Sequence, residues 1–326
     1  MKASWYASML SKVAFLHINF AMSFGIKHPN NLNYDVQQGQ DHFVDNNGTL
    51  LHYVKYGQGP YLIFQHGFPD NGKTWNTFQV PEFAMNHTVI TPTVRGYPPS
   101  DVPPETTAYS MPELVSDLLT ILDHENVPTA TLIMHDISGG IGQYFALAYP
   151  ERVEGLILIN TPIVPIFLPL IEFDNSEQEW ARYTIPYYKY ESGQPKNIST
   201  LVQHFSNRTY AAEVASYLEE SPIDGMLHFY NENYPGPPYG KNLSTEGMVQ
   251  KVPSMILWGS EDPYFSPKML DGLQSWFGEG VRLVTVPHAG HWVFRDQPQK
   301  TNRELWSFIG YLRSSRPKTN VTTSAL

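Results

Sequence analysis

Three short runs in this chain are apolar without a polar face: ATLIMH (130–135), VEGLILIN (153–160) and SMILWG (254–259). A strand written this way is covered on both sides, as strands inside a parallel sheet are. VRLVTV (281–286) repeats the signature, and LLHYVKYG (50–57), YLIFQHG (61–67) and TVITPTV (88–94) read as further strands. Helical periods fall between them. SMPELVSDLLTILDHENV (110–127) carries Ser110 and Glu113 at capping-box spacing, GGIGQYFALAYP (139–150) stops at Pro150, and PQKTNRELWSFIGYLR (298–313) is the last helix. Strands alternating with helices predict an α/β fold, with a mostly parallel sheet and helices on both faces.

One stretch breaks the alternation. From about 161 to 250 the chain is rich in Tyr, Pro and polar residues, with short helical patterns and no convincing strand. It reads as a helical insertion between two sheet strands, placed to lie over the strand ends where open α/β sheets bind ligands. The expected organisation is an N-terminal extension (1–40), a core (41–160 and 251–313), the helical insertion (161–250) and a C-terminal tail (314–326).

Charge and composition remove several function classes. The formal net charge of −10 argues against nucleic acid or an anionic membrane as the main partner. Neither a phosphate-cradling GxxxxGKS/T nor a dinucleotide GxGxxG is present, so no nucleotide cofactor is expected. With no cysteine there is no disulfide, thiolate metal site or cysteine nucleophile, and no metal is expected. KVAFLHINFAMSFG (12–25) is apolar but interrupted by His17 and Asn19, and too short to span a bilayer. It reads as a loosely packed extension or as the core of a weak secretory signal. Sequons at Asn47, Asn86, Asn197, Asn207, Asn242 and Asn320 add some weight to secretion. The expected compartment is therefore cytoplasmic or extracellular.

The chemistry begins at TLIMHDISGG, where a buried run ends on Asp136 and small residues open a helix. An unpaired buried charge is costly, so the carboxylate has a partner, a turn role or a reaction. Strand, sharp turn and helix form a nucleophile elbow, which exposes one side chain at the top of the sheet. Gly139 and Gly142 suit close packing of that helix. A shifted register would make Ser138 the nucleophile. FQHGFPD brings a Gly-Phe-Pro turn to the same end of the sheet, so the backbone N–H groups of Phe68 and Ile137 would converge as an oxyanion hole. ILWGSEDPYF places Asp262 just after a later strand, and VPHAGHWVF places His291 after the last one. Taken singly, Asp262-Pro263 is an ordinary turn and a histidine in a Gly-rich loop is more often structural. Jointly, the order nucleophile, acid, histidine is that of the α/β-hydrolase arrangement. His66 and His135 read as loop-orienting residues, with His66 and Tyr187 set to border the substrate.

The stretches HGFPD, RGYPPSD, HDISGG, LWGSEDP and AGHW closely resemble the epoxide hydrolase branch of the α/β-hydrolase superfamily, from roughly Asp41 to Leu312. The resemblance implies the α/β-hydrolase fold with a helical cap. It also implies attack by Asp136 on an epoxide, a covalent ester, and hydrolysis by a water that His291 activates and Asp262 helps orient. The substrate would be a small apolar epoxide with water, without cofactor, at an oligomeric state the residues do not fix. In that family two cap tyrosines protonate the leaving oxygen. GMLHFYNEN resembles the family's Asn-Trp-Tyr-Arg stretch with only the tyrosine kept, which points to Tyr230. ARYTIPYYKYESG supplies the partner, with Tyr183 first choice and Tyr187 second.

The chain departs from the family at Ile137 (usually Trp), Met134 (often Gly) and Ser138 (usually Gly). The competing readings are a haloalkane or fluoroacetate dehalogenase with the same triad, a serine-type ester hydrolase using Ser138, and an inactive binder of a small apolar ligand. A dehalogenase needs side-chain N–H donors for the halide, and Ile137 and Phe68 have none.

Overall fold

The computed structural model describes residues 38–239 and 244–315. The segment 12–25, the sequons at Asn242 and Asn320, and nearly all of both predicted tails lie outside the described residues.

Among the described residues, eight strands form one sheet in the order β1-β2-β4-β3-β5-β6-β7-β8. They are β1 (Gln40–Asn46), β2 (Thr49–Tyr56), β3 (Tyr61–Gln65), β4 (Thr88–Pro92), β5 (Ala130–His135), β6 (Val153–Ile159), β7 (Ser254–Gly259) and β8 (Val281–Val286). The first two are antiparallel to each other, and β2 is antiparallel to β4. Every other pairing, from β4 to β8, is parallel. The predicted mostly parallel sheet is therefore present, with an antiparallel edge.

Sequence reading did not foresee β1. It joins β2 through Asn47-Gly48, both with positive φ (51° and 91°), the backbone of a tight hairpin turn. β8 also differs from expectation. VRLVTV was read as covered on both faces, yet Leu283 is 42% exposed because β8 is the last strand of the sheet. The central strands behave as read, and all six residues of β5 and all six of β7 are buried.

The helices that pack with the sheet are α1 (Gln79–Phe83), α2 (Met111–His124) and α3 (Ile137–Ala148). Ser110 is the N-cap of α2, but its side chain makes no capping hydrogen bond. Glu113, the other half of the predicted box, lies instead 3.5 Å from Arg95. Between β6 and β7 the chain forms α4 (Val164–Phe173), α5 (Asn175–Trp180), α6 (Ile185–Tyr188), α7 (Ile198–Val202), α8 (Arg208–Glu220) and α9 (Ile223–Asn233). No strand falls there among the described residues. The chain then returns to the sheet and ends with α10 (Val293–Asp296) and α11 (Pro298–Ser314). No helix among the described residues is long and apolar enough to cross a membrane.

Parallel strands share one carboxyl end. Phe68 follows β3, Asp136 follows β5, Asn160 follows β6, Asp262 follows β7 and His291 follows β8. Strand direction alone thus collects residues far apart in sequence.

Candidate active site

Asp136 stands at the bend between β5 and α3 with φ 54° and ψ −125°, a backbone region that non-glycine residues rarely occupy. The surroundings hold it there. Its carbonyl accepts hydrogen bonds from Gly139 N–H at 2.8 Å and from the Thr161 hydroxyl at 2.6 Å. Close packing demands glycine around it: a Cβ on Gly67 would fall 2.3 Å from the Asp136 Cβ, and one on Gly139 would fall 2.2 Å from Thr161 Oγ1.

The Asp136 carboxylate is buried and well supplied with partners. Phe68 N–H donates to its Oδ1 at 2.8 Å, and the adjacent Ile137 N–H helps to lower its pKa. Of the two N–H groups predicted to converge, that of Phe68 meets an oxygen of Asp136 itself. His291 Nε2 lies 3.5 Å from Asp136 Oδ2, the other oxygen. Burial alone would raise the Asp136 pKa; the His291 ring, 3.5 Å away, outweighs it and holds the group below the usual carboxylate range.

His291 Nδ1 faces Asp262 Oδ2 at 2.9 Å. Burial would lower the pKa of this ring, but Asp262 and Asp136 together push it up to about 10. Asp262 is held from all sides. Its Oδ1 accepts the N–H groups of Tyr264 and Phe265 at 2.8 and 3.2 Å, and Asn160 Nδ2 donates to Oδ2 at 2.6 Å. Asn160 in turn accepts Gly259 N–H at 2.9 Å from a left-handed backbone (φ 38°). Sequence reasoning missed Asn160. Its only signal was a polar residue closing a strand with no other polar end, VEGLILIN.

Ser138, the alternative nucleophile, is fully buried, and its hydroxyl donates to the His66 carbonyl oxygen. It does not face the site. His66 is also fully buried: its Nδ1 lies 3.0 Å from Gly67 O, and its Nε2 accepts Val94 N–H at 3.1 Å. With both nitrogens occupied and burial lowering its pKa to about 4, the ring is a neutral loop brace. It is absent from the walls of the cavities beside Asp136, contrary to the expectation that it borders substrate. His135 is likewise buried, with Nε2 3.1 Å from His291 O, and burial lowers its pKa to about 3.

Two cavities meet at Asp136. The larger, about 110 Å³, is lined by Ile137 and by apolar and aromatic side chains of α4 and α9. The smaller, about 10 Å³, is bordered by Phe68, Tyr187, Tyr264 and His291. Tyr183 and Tyr230 border both. The Tyr187 ring packs against Tyr230 and Phe68, with centroids 4.9 and 5.3 Å apart. The Tyr183 ring packs on Tyr264 at 5.0 Å and lies farther, 6.1 Å, from Tyr187. No hydrogen bond occupies the hydroxyls of Tyr187 and Tyr230 among the described residues. Burial, then the nearby Asp136 charge, raises the pKa of both, so each keeps its proton at neutral pH.

This geometry meets an independent likeness to known proteins. Over 286 residues the chain is 26% identical to epoxide hydrolase 3 of Mus musculus, covering 82% of this chain and 75% of that protein. Epoxide hydrolase 4 of Homo sapiens is also 26% identical, with 82% and 77% covered. A crystal structure of Bacillus megaterium epoxide hydrolase in complex with an inhibitor superposes with a TM-score of 0.75 at 26% identity, over 82% of this chain and all of that one. The family model described as the alpha/beta hydrolase fold matches residues 60–298, well over half the chain. By its sheet, its elbow and that match, the chain belongs to the α/β-hydrolase fold family.

Proposed function

We propose that this protein is an epoxide hydrolase that opens its substrate through a covalent ester on Asp136. The observation that carries the reading is the division of labour between the two oxygens of that carboxylate. Oδ1 is held by Phe68 N–H, while Oδ2 faces His291 at 3.5 Å, too far for a strong hydrogen bond. A carboxylate is ionised near neutral pH and needs no base to activate it. The relatives named epoxide hydrolase support the substrate class.

In the first step Asp136 Oδ2 attacks an epoxide carbon and the ring C–O bond breaks. The departing oxygen needs a proton. Tyr230 and Tyr187 have unoccupied hydroxyls near Asp136 and fill that role, one donating the proton and the other a hydrogen bond. This puts Tyr187 ahead of Tyr183, because the Tyr187 ring packs on Tyr230 at 4.9 Å while the Tyr183 ring packs on Tyr264. The helices between β6 and β7, which carry these tyrosines, act as the cap.

Ester formation removes the Asp136 charge. His291 then loses one of the two carboxylates that kept it protonated, and its pKa falls toward the range of a working base. The neutral ring takes a proton from water, the hydroxide attacks the ester carbonyl, and the oxyanion develops on Oδ1 against the Phe68 and Ile137 N–H groups. His291 becomes neutral by giving its resting proton to the tyrosinate left by ring opening; on collapse the departing diol oxygen takes the proton of the new Asp136 carboxyl, so Asp136 ends ionised and His291 protonated, as at the start. Asp262 stabilises the charged ring, and Asn160 fixes Asp262.

The test is the variant His291→Gln with a phenyl-substituted epoxide, followed by intact-protein mass. An ester that forms but cannot be hydrolysed adds the mass of one epoxide. Steady diol production by this variant, with no adduct, contradicts the mechanism.

A further inference from the structure

We propose that the site takes uncharged epoxides with one bulky apolar substituent on one ring carbon and little on the other, and that Leu201 sets this limit. The inference rests on the epoxide hydrolase reading above.

The two cavities beside Asp136 are unequal. The larger encloses about 110 Å³, and the smaller about 10 Å³, roughly the room of a single water. An epoxide ring poised for attack lies between Asp136 and the tyrosine hydroxyls. In a trans-disubstituted epoxide the two substituents point away from each other, so each enters one cavity. The larger offers Ile137, Val164, Phe167, Leu168 and Phe265 as an apolar bed.

The walls of the smaller cavity have little freedom to retreat. Phe68 is braced edge-on by Tyr187 and Tyr230, with centroids 5.3 and 5.4 Å apart. Tyr264 packs edge-on to His291 at 5.0 Å. Those residues serve the reaction, so the wall that can vary is Leu201 of α7, buried at 7% exposure. Charge narrows the class further. Among the described residues no Lys or Arg lines either cavity, and Asp136 borders both. A carboxylate-bearing substituent would lose water beside a like charge with no counter-ion.

The test compares styrene oxide, with one phenyl group, and trans-stilbene oxide, with one on each ring carbon. The parent enzyme is expected to favour styrene oxide in kcat/KM by roughly 100-fold or more, the scale of a steric pocket mismatch. In Leu201→Ala the ratio should move toward trans-stilbene oxide by about tenfold or more. Both substrates are measured on one preparation, so a loss of folded protein cancels in the ratio. A parent ratio near one, or in favour of trans-stilbene oxide, overturns the cavity argument and leaves the hydrolase reading standing. An unchanged ratio in Leu201→Ala overturns the role of Leu201. Diol from neither epoxide overturns the hydrolase reading, and this inference with it.

Discussion

Replacing Asp136 with Asn should change the titration of a different residue, His291. The ring sits between Asp262 at 2.9 Å and Asp136 at 3.5 Å. With an effective dielectric constant of about 20, the pair at 3.5 Å attracts by about 5 kcal/mol, or roughly three pH units of titration. The parent ring titrates at about 10. In Asp136→Asn it is expected near pH 7, roughly three units lower. The substitution is nearly isosteric, and the Asn Oδ1 still accepts Phe68 N–H, so the loop geometry is preserved. The assay is NMR of the histidine ring carbons from pH 5 to 11, with the His291 signal identified by its loss in His291→Gln. The chain has 12 histidines, and burial lowers the pKa of the neighbouring His66 and His135 to about 4 and 3, so neither overlaps the window. The variant mimics the charge of the ester state, so the shift measures the switch that makes His291 a base. A ring that still titrates near its parent value would refute the proposal that Asp136 keeps the proton in place.

The remaining predictions concern the tyrosines and the elbow. Tyr187→Phe and Tyr230→Phe should each lower kcat/KM for styrene oxide by about 100-fold, while Tyr183→Phe should cost less than about threefold. An equal loss in Tyr183→Phe would show that the Tyr183 hydroxyl is the acid after all. Gly139→Ala should destabilise the fold by about 1–3 kcal/mol, because overpacking against Thr161 Oγ1 at 2.2 Å outweighs the roughly 1 kcal/mol that alanine offers a helix. Urea unfolding reads this directly, and a variant as stable as the parent would mean that the elbow has room to spare.

Much of the site was legible because its residues hang on strand ends. A run such as ATLIMH can only be a covered strand, and a carboxylate directly after it must be dealt with by the fold. Asp262 and His291 follow β7 and β8 in the same way. Tyr183 and Tyr187 show where this reasoning fails. They lie four residues apart, one helical turn, and so share a face; which of them reaches Tyr230 depends on how the segment packs, which local pattern does not encode. The capping box failed for a related reason: the long-range partner Arg95 lies beside Glu113. Asn160 was hidden because asparagine after a strand usually marks a turn, and only the arrival of Asp262 from 102 residues away gives it a task. β1 was missed although Asn47-Gly48 is a strong local turn signal, because the half-exposed run before it alternates weakly.

The most direct test of the covalent ester is a single turnover in ¹⁸O-labelled water with enzyme in excess over styrene oxide. If Asp136 attacks carbon, the first diol carries unlabelled oxygen from the carboxylate, and the label appears in the protein at Asp136. Label in the first diol, with none in the protein, would mean that water attacks the epoxide directly and that Asp136 forms no bond to it.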